Sequence, residues 1–312
     1  MPCYHPLVAT RKLEGGVAIL RAKKHCDLDI GEFVVPCGQC IGCRNDKAKS
    51  WAVRCIHEER INRERGFESS FLTLTYEDHN LPDDGTLDPN DHTEFVNKLK
   101  TRLWRKGQKM RYFMSGEYGD KLQRPHFHYL IFGYEFPDKT PWRQFQGNTY
   151  YRSEELEKIW TFGNSLIGHV TVESAGYTAR YVMKKQTGAK AKEHYLTDDG
   201  VTLHPEFSRM SLKPGIGAEW FRKYGESDIY NTSSDSVTIN GTKYKTPRYY
   251  DTLLERLDVD KLMDVKSARL EAAQDSKIQE NNTFERLAIR KEIHQRRITK
   301  LHRGYENGRT DY

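Results

Sequence analysis

Apolar and polar residues alternate at period two in three stretches of the chain. Residues 71–76 (FLTLTY) set large apolar side chains against threonines, the pattern of a buried strand. Residues 110–133 read as two apolar strands joined by a polar turn, and residues 168–173 (GHVTVE) as a further strand. Helical spacing appears between them. Residues 47–65 carry Trp51, Cys55 and Ile56 inward and close on Gly66. Residues 89–106 begin with Pro and end before Gly107, with Phe95, Leu99 and Leu103 four apart and Val96 and Trp104 beside them. Ser153 caps a helix reaching Phe162 and Gly163, with Leu156, Ile159 and Trp160 inward, and Ser174 caps one over residues 174–186.

The order strand, helix, strand, strand, helix, strand, helix predicts an α+β fold: an antiparallel-sheet palm with helices packed on one side. Around it the pattern fades. Residues 1–45 read as irregular, 137–151 as a loop with Trp142 and Phe145, and 187–248 as weakly patterned with Trp220, Phe221 and Tyr224 as packing points. Residues 251–303 are charged and helical, and the residues after Gly304 read as frayed. Three segments follow: 1–66 (cysteine-rich region and helix), 67–190 (core) and 191–312 (a partly helical basic region).

Composition narrows the partners. No run approaches the ~20 apolar residues that span a bilayer, and the first residues lack the layout of a signal peptide. These features predict an intracellular protein with no membrane partner. Across 312 residues the net charge is +6 and aromatics are 12%, 18 of them Tyr, a balance that tilts toward a polyanion with unpaired bases. The basic face from Lys98 to Lys106 is a solvated face by default, with contact to phosphates as the alternative. The basic helix carrying Arg286 to Arg303 is read as a surface helix that clamps nucleic acid or pairs with another copy.

Candidate chemistry sits in three places. His126 and His128, one residue apart on a strand, point to one face with Phe127 on the other, and Glu117 reaches that face across the hairpin. Two imidazoles and a carboxylate make an open divalent-metal site; the bland reading is a pair of satisfied strand histidines. Cys37-Gly-Gln-Cys40-Ile-Gly-Cys43 overlaps two Cys-x-x-Cys spacings, pointing to a structural Zn²⁺ whose fourth ligand is Cys3, or else Cys26 or His5. Reduced, buried thiols are the bland alternative. Tyr177 and Tyr181, four apart, share a helix face, and Lys184 or Lys185 follows one turn later. A phenol of pKa about 10 is a weak nucleophile unless a cation assists it, and packing aromatics would give the same spacing.

Taken in order, FLTLTY, the Glu117 strand, Pro-His-Phe-His and Tyr-x-x-x-Tyr-x-x-Lys resemble the three motifs of HUH replication initiators. MPCYHPL, VPCGQCIGCR, WAVRCIHE and FLTLTY resemble the replication initiation proteins of microviruses, small single-stranded DNA phages of the gokushovirus type. The resemblance covers roughly residues 1–185. It implies an HUH endonuclease palm, RRM-like, in which Glu117, His126 and His128 hold Mg²⁺ or Mn²⁺ at the scissile phosphate of a single-stranded origin. It implies that Tyr181 or Tyr177 attacks, with Tyr181 first in preference and the order open, leaving a 5′-phosphotyrosine and a 3′-OH that primes a host polymerase. The second tyrosine then serves strand transfer as the displaced strand is closed into a circle. Lys184 is the helper cation, and Lys185, Arg180 and Arg124 are candidate contacts to DNA. Host replication proteins, a helicase or polymerase, are the further partners implied, and the cytoplasm of a bacterial host is the setting. The competing readings are an HUH relaxase or transposase, and a non-catalytic zinc protein that binds DNA. A small-molecule metallohydrolase would need neither the second tyrosine nor the basic faces.

Overall fold

The computed structural model describes residues 3–12, 17–22, 32–82, 84–119, 122–145, 147–180, 190–197, 199–230 and 236–305. The chain divides into two compact units, one formed by residues 1–47 with 263–312 and the other by residues 48–262. Among the described residues no helix is long and apolar enough to cross a membrane.

In the first unit, β1 (Leu7–Arg11), β2 (Val17–Ala22) and β3 (Phe33–Val35) form an antiparallel sheet in the order β2-β1-β3. This corrects the reading of residues 1–45 as irregular. The strands run three to six residues, and Val17, Ile19 and Leu20 are all exposed, so no period-two burial is written into them. The unit also holds the C-terminal helix, Phe284–Tyr305.

Helix α1 (Ile41–Glu64) starts six residues before the expected Lys47, because Ile41 to Asp46 (IGCRND) lack a helical apolar period. Its end falls where the sequence puts it. Gly66 sits at φ +79°, its N–H bonds the Arg63 carbonyl, and the Phe67 N–H bonds that of Asn62.

The second unit is organised by a seven-stranded antiparallel sheet in the order β10-β5-β6-β4-β9-β8-β7. Its members are β4 (Ser70–Thr75), β5 (Arg111–Tyr118), β6 (Pro125–Phe132), β7 (Thr140–Phe145), β8 (Asn148–Arg152), β9 (Ser165–His169) and β10 (Phe207–Met210). One face carries Leu72, Leu74, Met114, Phe127, Tyr129 and Ile131 into the main core. There it meets α2 (Pro89–Arg105), through Phe95, Val96, Leu99 and Leu103, and α3 (Glu154–Ile159), through Leu156 and Ile159. Asp88 caps α2 and Ser153 caps α3. Arg102 and Lys106 of the basic face of α2 are engaged by Glu155 of α3, at 2.5 and 2.9 Å. Trp104, expected beside the apolar stripe, is 75% exposed.

The opposite face is covered as well, which corrects the expectation of helices on one side. The Trp51 ring of α1 lies 5.0 Å from that of Phe113, and Tyr177 of α4 (Val172–Arg180) packs against Phe71 and His128. Ala48 and Ala52 of α1 meet Ala179 of α4, small side chains that let the two helices approach.

Three further expectations change. Thr140–Phe145 and Asn148–Arg152 pair as β7 and β8 where a loop is expected, an edge with little buried apolar surface and so no readable alternation. The strand expected at 168–173 lies at Ser165–His169, and α4 begins at Val172. Thr171 rather than Ser174 opens that helix: the Ser174 N–H bonds Thr171 Oγ1 while the Thr171 N–H bonds Ser174 Oγ, a reciprocal capping pair. Within 187–248, β10 joins the main sheet, β11 (Ser236–Ile239) pairs β12 (Thr242–Lys245), and Trp220 and Phe221 are buried as expected. Helices Arg248–Leu257 and Val259–Ala273 follow.

Candidate active site

Strand register builds the first site. Glu117 on β5 stands directly opposite His126 on β6, and Ser115 opposite His128. On the other side of β6, Thr75 faces His126 and Thr73 faces His128. Period-two alternation therefore gathers Thr73, Thr75, Ser115, Glu117, His126 and His128 on one face of three adjacent strands. Phe127, between the histidines, points the other way and is fully buried against Tyr76, Tyr129, Trp160 and Phe207. Gly116 makes room for it: a Cβ there would come to 3.1 Å from the Phe127 ring.

Glu117, His126 and His128 are all buried. Nε2 of His126 lies 2.6 Å and Nε2 of His128 3.0 Å from the same oxygen, Glu117 Oε1. The donor atoms of all three lie within 4.8 Å of one another. Burial by itself pushes the Glu117 carboxyl up, but the charge of His126 and hydrogen bonds from both imidazoles outweigh it, and the group is held well below the usual carboxylate range. A permanent carboxylate thus sits between two ring nitrogens.

The outer partners of the rings matter as much. His126 Nδ1 lies 3.1 Å from the Arg124 carbonyl oxygen, an acceptor, and therefore donates there. Its Nε2 meets a second acceptor, Glu117. An imidazole between two acceptors calls for a positive charge, supplied by a second ring proton or by a metal ion in its place. The donor set therefore suits a divalent cation. His128 Nδ1 pairs at 3.1 Å with Thr73 Oγ1, and the Phe71 ring stacks on His128 at 5.6 Å and 13°. Thr73 and Phe71 were not singled out from sequence. The signal was available: positions 71 and 73 share the parity of His128 across an antiparallel pair.

Tyr177 is brought to this face, its ring 5.0 Å from His128 at 78° and 6.4 Å from Phe71. The Arg180 guanidinium lies 5.7 Å from the Tyr177 ring. Tyr181, Lys184 and Lys185 lie outside the described residues. Arg124 is engaged by the protein itself, bonding Asp78 Oδ1 at 2.6 Å and the Tyr76 carbonyl at 2.8 Å, and so ties the hairpin end to the end of β4.

The second cluster belongs to the first unit. Cys3, Cys37, Cys40 and Cys43 place their sulfurs within 4.8 Å of one another. His5, the alternative ligand, is instead 3.0 Å from Lys291 Nζ, and Cys26 lies outside the described residues. Burial pushes the Cys3 thiol up to about 11. It pushes Cys40 up too, but hydrogen bonds with the Cys43 and Tyr4 backbone prevail and bring that thiol down to about 7. The cluster is roofed by Leu287, buried on the C-terminal helix, so this helix is not only a surface element.

The chain is 33% identical over 270 residues to the replication-associated protein VP4 of Bdellovibrio phage phiMH2K, covering 85% of this chain and 80% of that one. It belongs to the replication-associated proteins of microvirus-type phages. Within this family it is 36% identical over 233 residues to the replication-associated protein ORF2 of Spiroplasma virus 4, covering 71% of the chain and 68% of the relative. The replication-associated protein ORF4 of Chlamydia phage 1 is 29% identical over 234 residues, 72% of the chain and 54% of the relative. The family model for replication-associated protein ORF2/G2P matches residues 69–186, the stretch from β4 to just past Lys185. No solved structure matches the chain.

Proposed function

We propose that this family member initiates replication of a single-stranded phage genome inside the infected bacterium. It does so by nicking one DNA strand with a tyrosine at the Glu117, His126 and His128 site. The observation that carries the reading is the convergence of these three buried donors with Tyr177 packed edge-on against His128. The names of the phage relatives and the antiparallel sheet bearing the donors support it. On this reading the β4, β5, β6 and β9 core is an HUH-type palm.

The residues divide the work. Glu117 Oε1 and the Nε2 atoms of His126 and His128 would hold a Mg²⁺ or Mn²⁺ ion, which when bound withdraws charge from a phosphate oxygen and orients the phosphorus for in-line attack. Thr73 and the Arg124 carbonyl fix the ring orientations from behind. A tyrosine oxygen, from Tyr177 or from Tyr181 beyond it, attacks the phosphorus. The P–O3′ bond breaks, the phenolic proton is lost, and the departing 3′ oxygen takes up a proton. The products are a 5′-phosphotyrosine link and a 3′-OH that can prime a polymerase. Lys184 would steady the phenolate, with Arg180 and Lys185 near the DNA backbone. The second tyrosine attacks the regenerated origin, and the freed 3′-OH then reverses the first link to close the displaced circle. The link conserves the energy of the phosphodiester, so joining needs no nucleotide cofactor.

The test is a denaturing gel. A labelled single-stranded oligonucleotide carrying the phage origin is incubated with the protein and Mn²⁺. A band retarded by covalently attached protein is expected, absent from Tyr177→Phe/Tyr181→Phe and from His128→Ala. An adduct that survives the double substitution overturns the nucleophile assignment. Origin DNA left uncut and unattached overturns the enzymatic reading.

A further inference from the structure

From the four cysteines of the first unit we infer a closed, structural zinc site, ligated by Cys3, Cys37, Cys40 and Cys43, that pins the N-terminal segment to the start of α1. The nicking reaction does not involve it, and the inference stands independently of that reading.

Sulfur spacing is the first argument. Four thiolates around one zinc at about 2.3 Å form a tetrahedron with edges of about 3.8 Å. Cys3 Sγ and Cys40 Sγ are 3.9 Å apart, and all four sulfurs lie within 4.8 Å of one another. They are close enough for one ion, and a cluster of several irons would hold them further apart. All five cysteines described are free thiols.

The backbone is the second argument. A thiolate that ligates a metal is steadied by amide donors aimed at its sulfur. The Cys40 N–H donates to Cys37 Sγ at 3.3 Å, the Cys37 N–H to Cys3 Sγ at 3.2 Å, and the Tyr4 N–H to Cys40 Sγ at 3.3 Å. The loop that makes this possible turns at Gly38, φ +74°, where a side chain would be strained. Reduced thiols filling a core need no such convergence. Cys55 shows the contrast: it is fully buried, and it stands outside the cluster.

The surroundings form a third, supporting layer. Cys3 and Cys37 are far apart in sequence, so metal binding would close a long loop and fix β1 beside the head of α1. Around the sulfurs, His294 of the C-terminal helix bonds Tyr4 Oη at 3.0 Å and Asn45 Nδ2 at 3.1 Å. Leu287 shields the cluster. A hydrogen-bonded, partly apolar shell of this kind suits a site that keeps its ion.

The experiment uses the full chain purified without chelator. Elemental analysis is expected to find one tightly held zinc per chain, retained through mild chelation, kept in Cys55→Ala and in His128→Ala, and lost in Cys40→Ser. Should Cys40→Ser fail to fold, the wild-type chain prepared with Co²⁺ serves instead. It should show the thiolate-to-metal charge-transfer band and the strong visible bands of tetrahedral cobalt. Chains free of metal, zinc unchanged in Cys40→Ser, iron in place of zinc, a cobalt spectrum without thiolate bands, or a disulfide between these cysteines on non-reducing mass analysis would each overturn the site.

Discussion

Among the described residues, two clusters gather donor atoms within 4.8 Å, and they are built in opposite ways. Glu117, His126 and His128 stand on neighbouring strands, buried in the sheet, with every ring and carboxylate oriented by the strand pleat and by register. Cys3, Cys37 and Cys40 come from a terminal segment and a loop, and Cys43 from the first turn of α1. The first cluster is organised by strand register; the second is organised by the turn at Gly38, by backbone N–H donors aimed at its sulfurs and by the packing of Leu287. Three nitrogen and oxygen donors leave coordination positions open for a reactant, whereas four sulfurs leave none. Pre-organised and open suits chemistry; closed and soft suits a staple.

The largest effect that would sharpen this contrast comes from Glu117→Gln. The amide keeps the shape but removes the charge that the two imidazoles share, costing several kcal/mol of metal and transition-state stabilisation. Adduct formation with origin DNA is expected to fall by about a thousandfold, while one zinc per chain persists. Adduct formation within tenfold of wild type would show that the carboxylate does not serve a cation there.

Next in size is Phe127→Ala. This ring is the reverse side of the site, filling the space above Gly116 between Trp160, Tyr76 and Phe207. Truncating a fully buried phenyl costs about 3–5 kcal/mol. Denaturant unfolding should show that loss, and nicking measured well below the transition should fall too, since both histidines flank the vacated position. A loss under 1 kcal/mol would mean that the sheet does not depend on this anchor.

What could be read from the sequence follows the same division. The strands at 70–75, 111–118 and 125–132 were legible because each buries at least one face, and alternation is the imprint of burial. Glu117, His126 and His128 came with them by parity, and the Cys-x-x-Cys overlap spoke through spacing alone. The β1–β3 sheet, the β7–β8 edge and β10 were silent because short or exposed strands carry no such imprint. Coverage of the second sheet face by α1 and α4 was hidden for another reason. It rests on Trp51 meeting Phe113 and on alanine contacts between helices far apart in sequence, which no local pattern encodes. Arg124 is a candidate DNA contact by charge alone, and its bonds to Asp78 and the Tyr76 carbonyl are a tertiary fact that no local pattern encodes.

Buried histidines outside the clusters offer a third, smaller test. His57 is stacked on Trp220 at 3.4 Å and its Nδ1 meets Tyr250 Oη at 2.8 Å, a neutral partner instead of a carboxylate. Burial, with some repulsion from Arg60, pulls its pKa down to about 3. In the unfolded chain the value is about 6.5, so between pH 6.5 and 3 only the unfolded state gains the proton. The stability is full above about pH 6.5 and falls by about 1.4 kcal/mol per unit on acidification, about 2 kcal/mol at pH 5. Unfolding at pH 7 and pH 5 should show that much less acid sensitivity in His57→Gln than in wild type. His92, brought to about 4 by burial beside the Tyr129 hydroxyl, adds a slope of the same sign in both proteins. Equal pH dependence with and without His57 would show that its ring takes up a proton in the folded state.

The smallest effect tests whether the open cluster depends on a residue that holds no metal itself. Thr73 Oγ1 is the polar partner of His128 Nδ1, and the Phe71 ring stacks on the imidazole. Thr73→Val keeps the branched shape on β4 and the packing of that strand, but leaves Nδ1 facing a methyl group. Loss of an outer partner of a metal-ligating imidazole weakens metal affinity ten- to a hundredfold. The lower end, about tenfold, is expected here, because the stacked phenyl and the register of β6 still hold the ring. The signature is a Mn²⁺ requirement for adduct formation raised about tenfold, with the rate at saturating Mn²⁺ nearly restored. An unchanged metal requirement would assign the orientation of His128 to stacking and strand register alone. A rate that stays low at saturating metal would place Thr73 in the chemical step instead of behind the ligand.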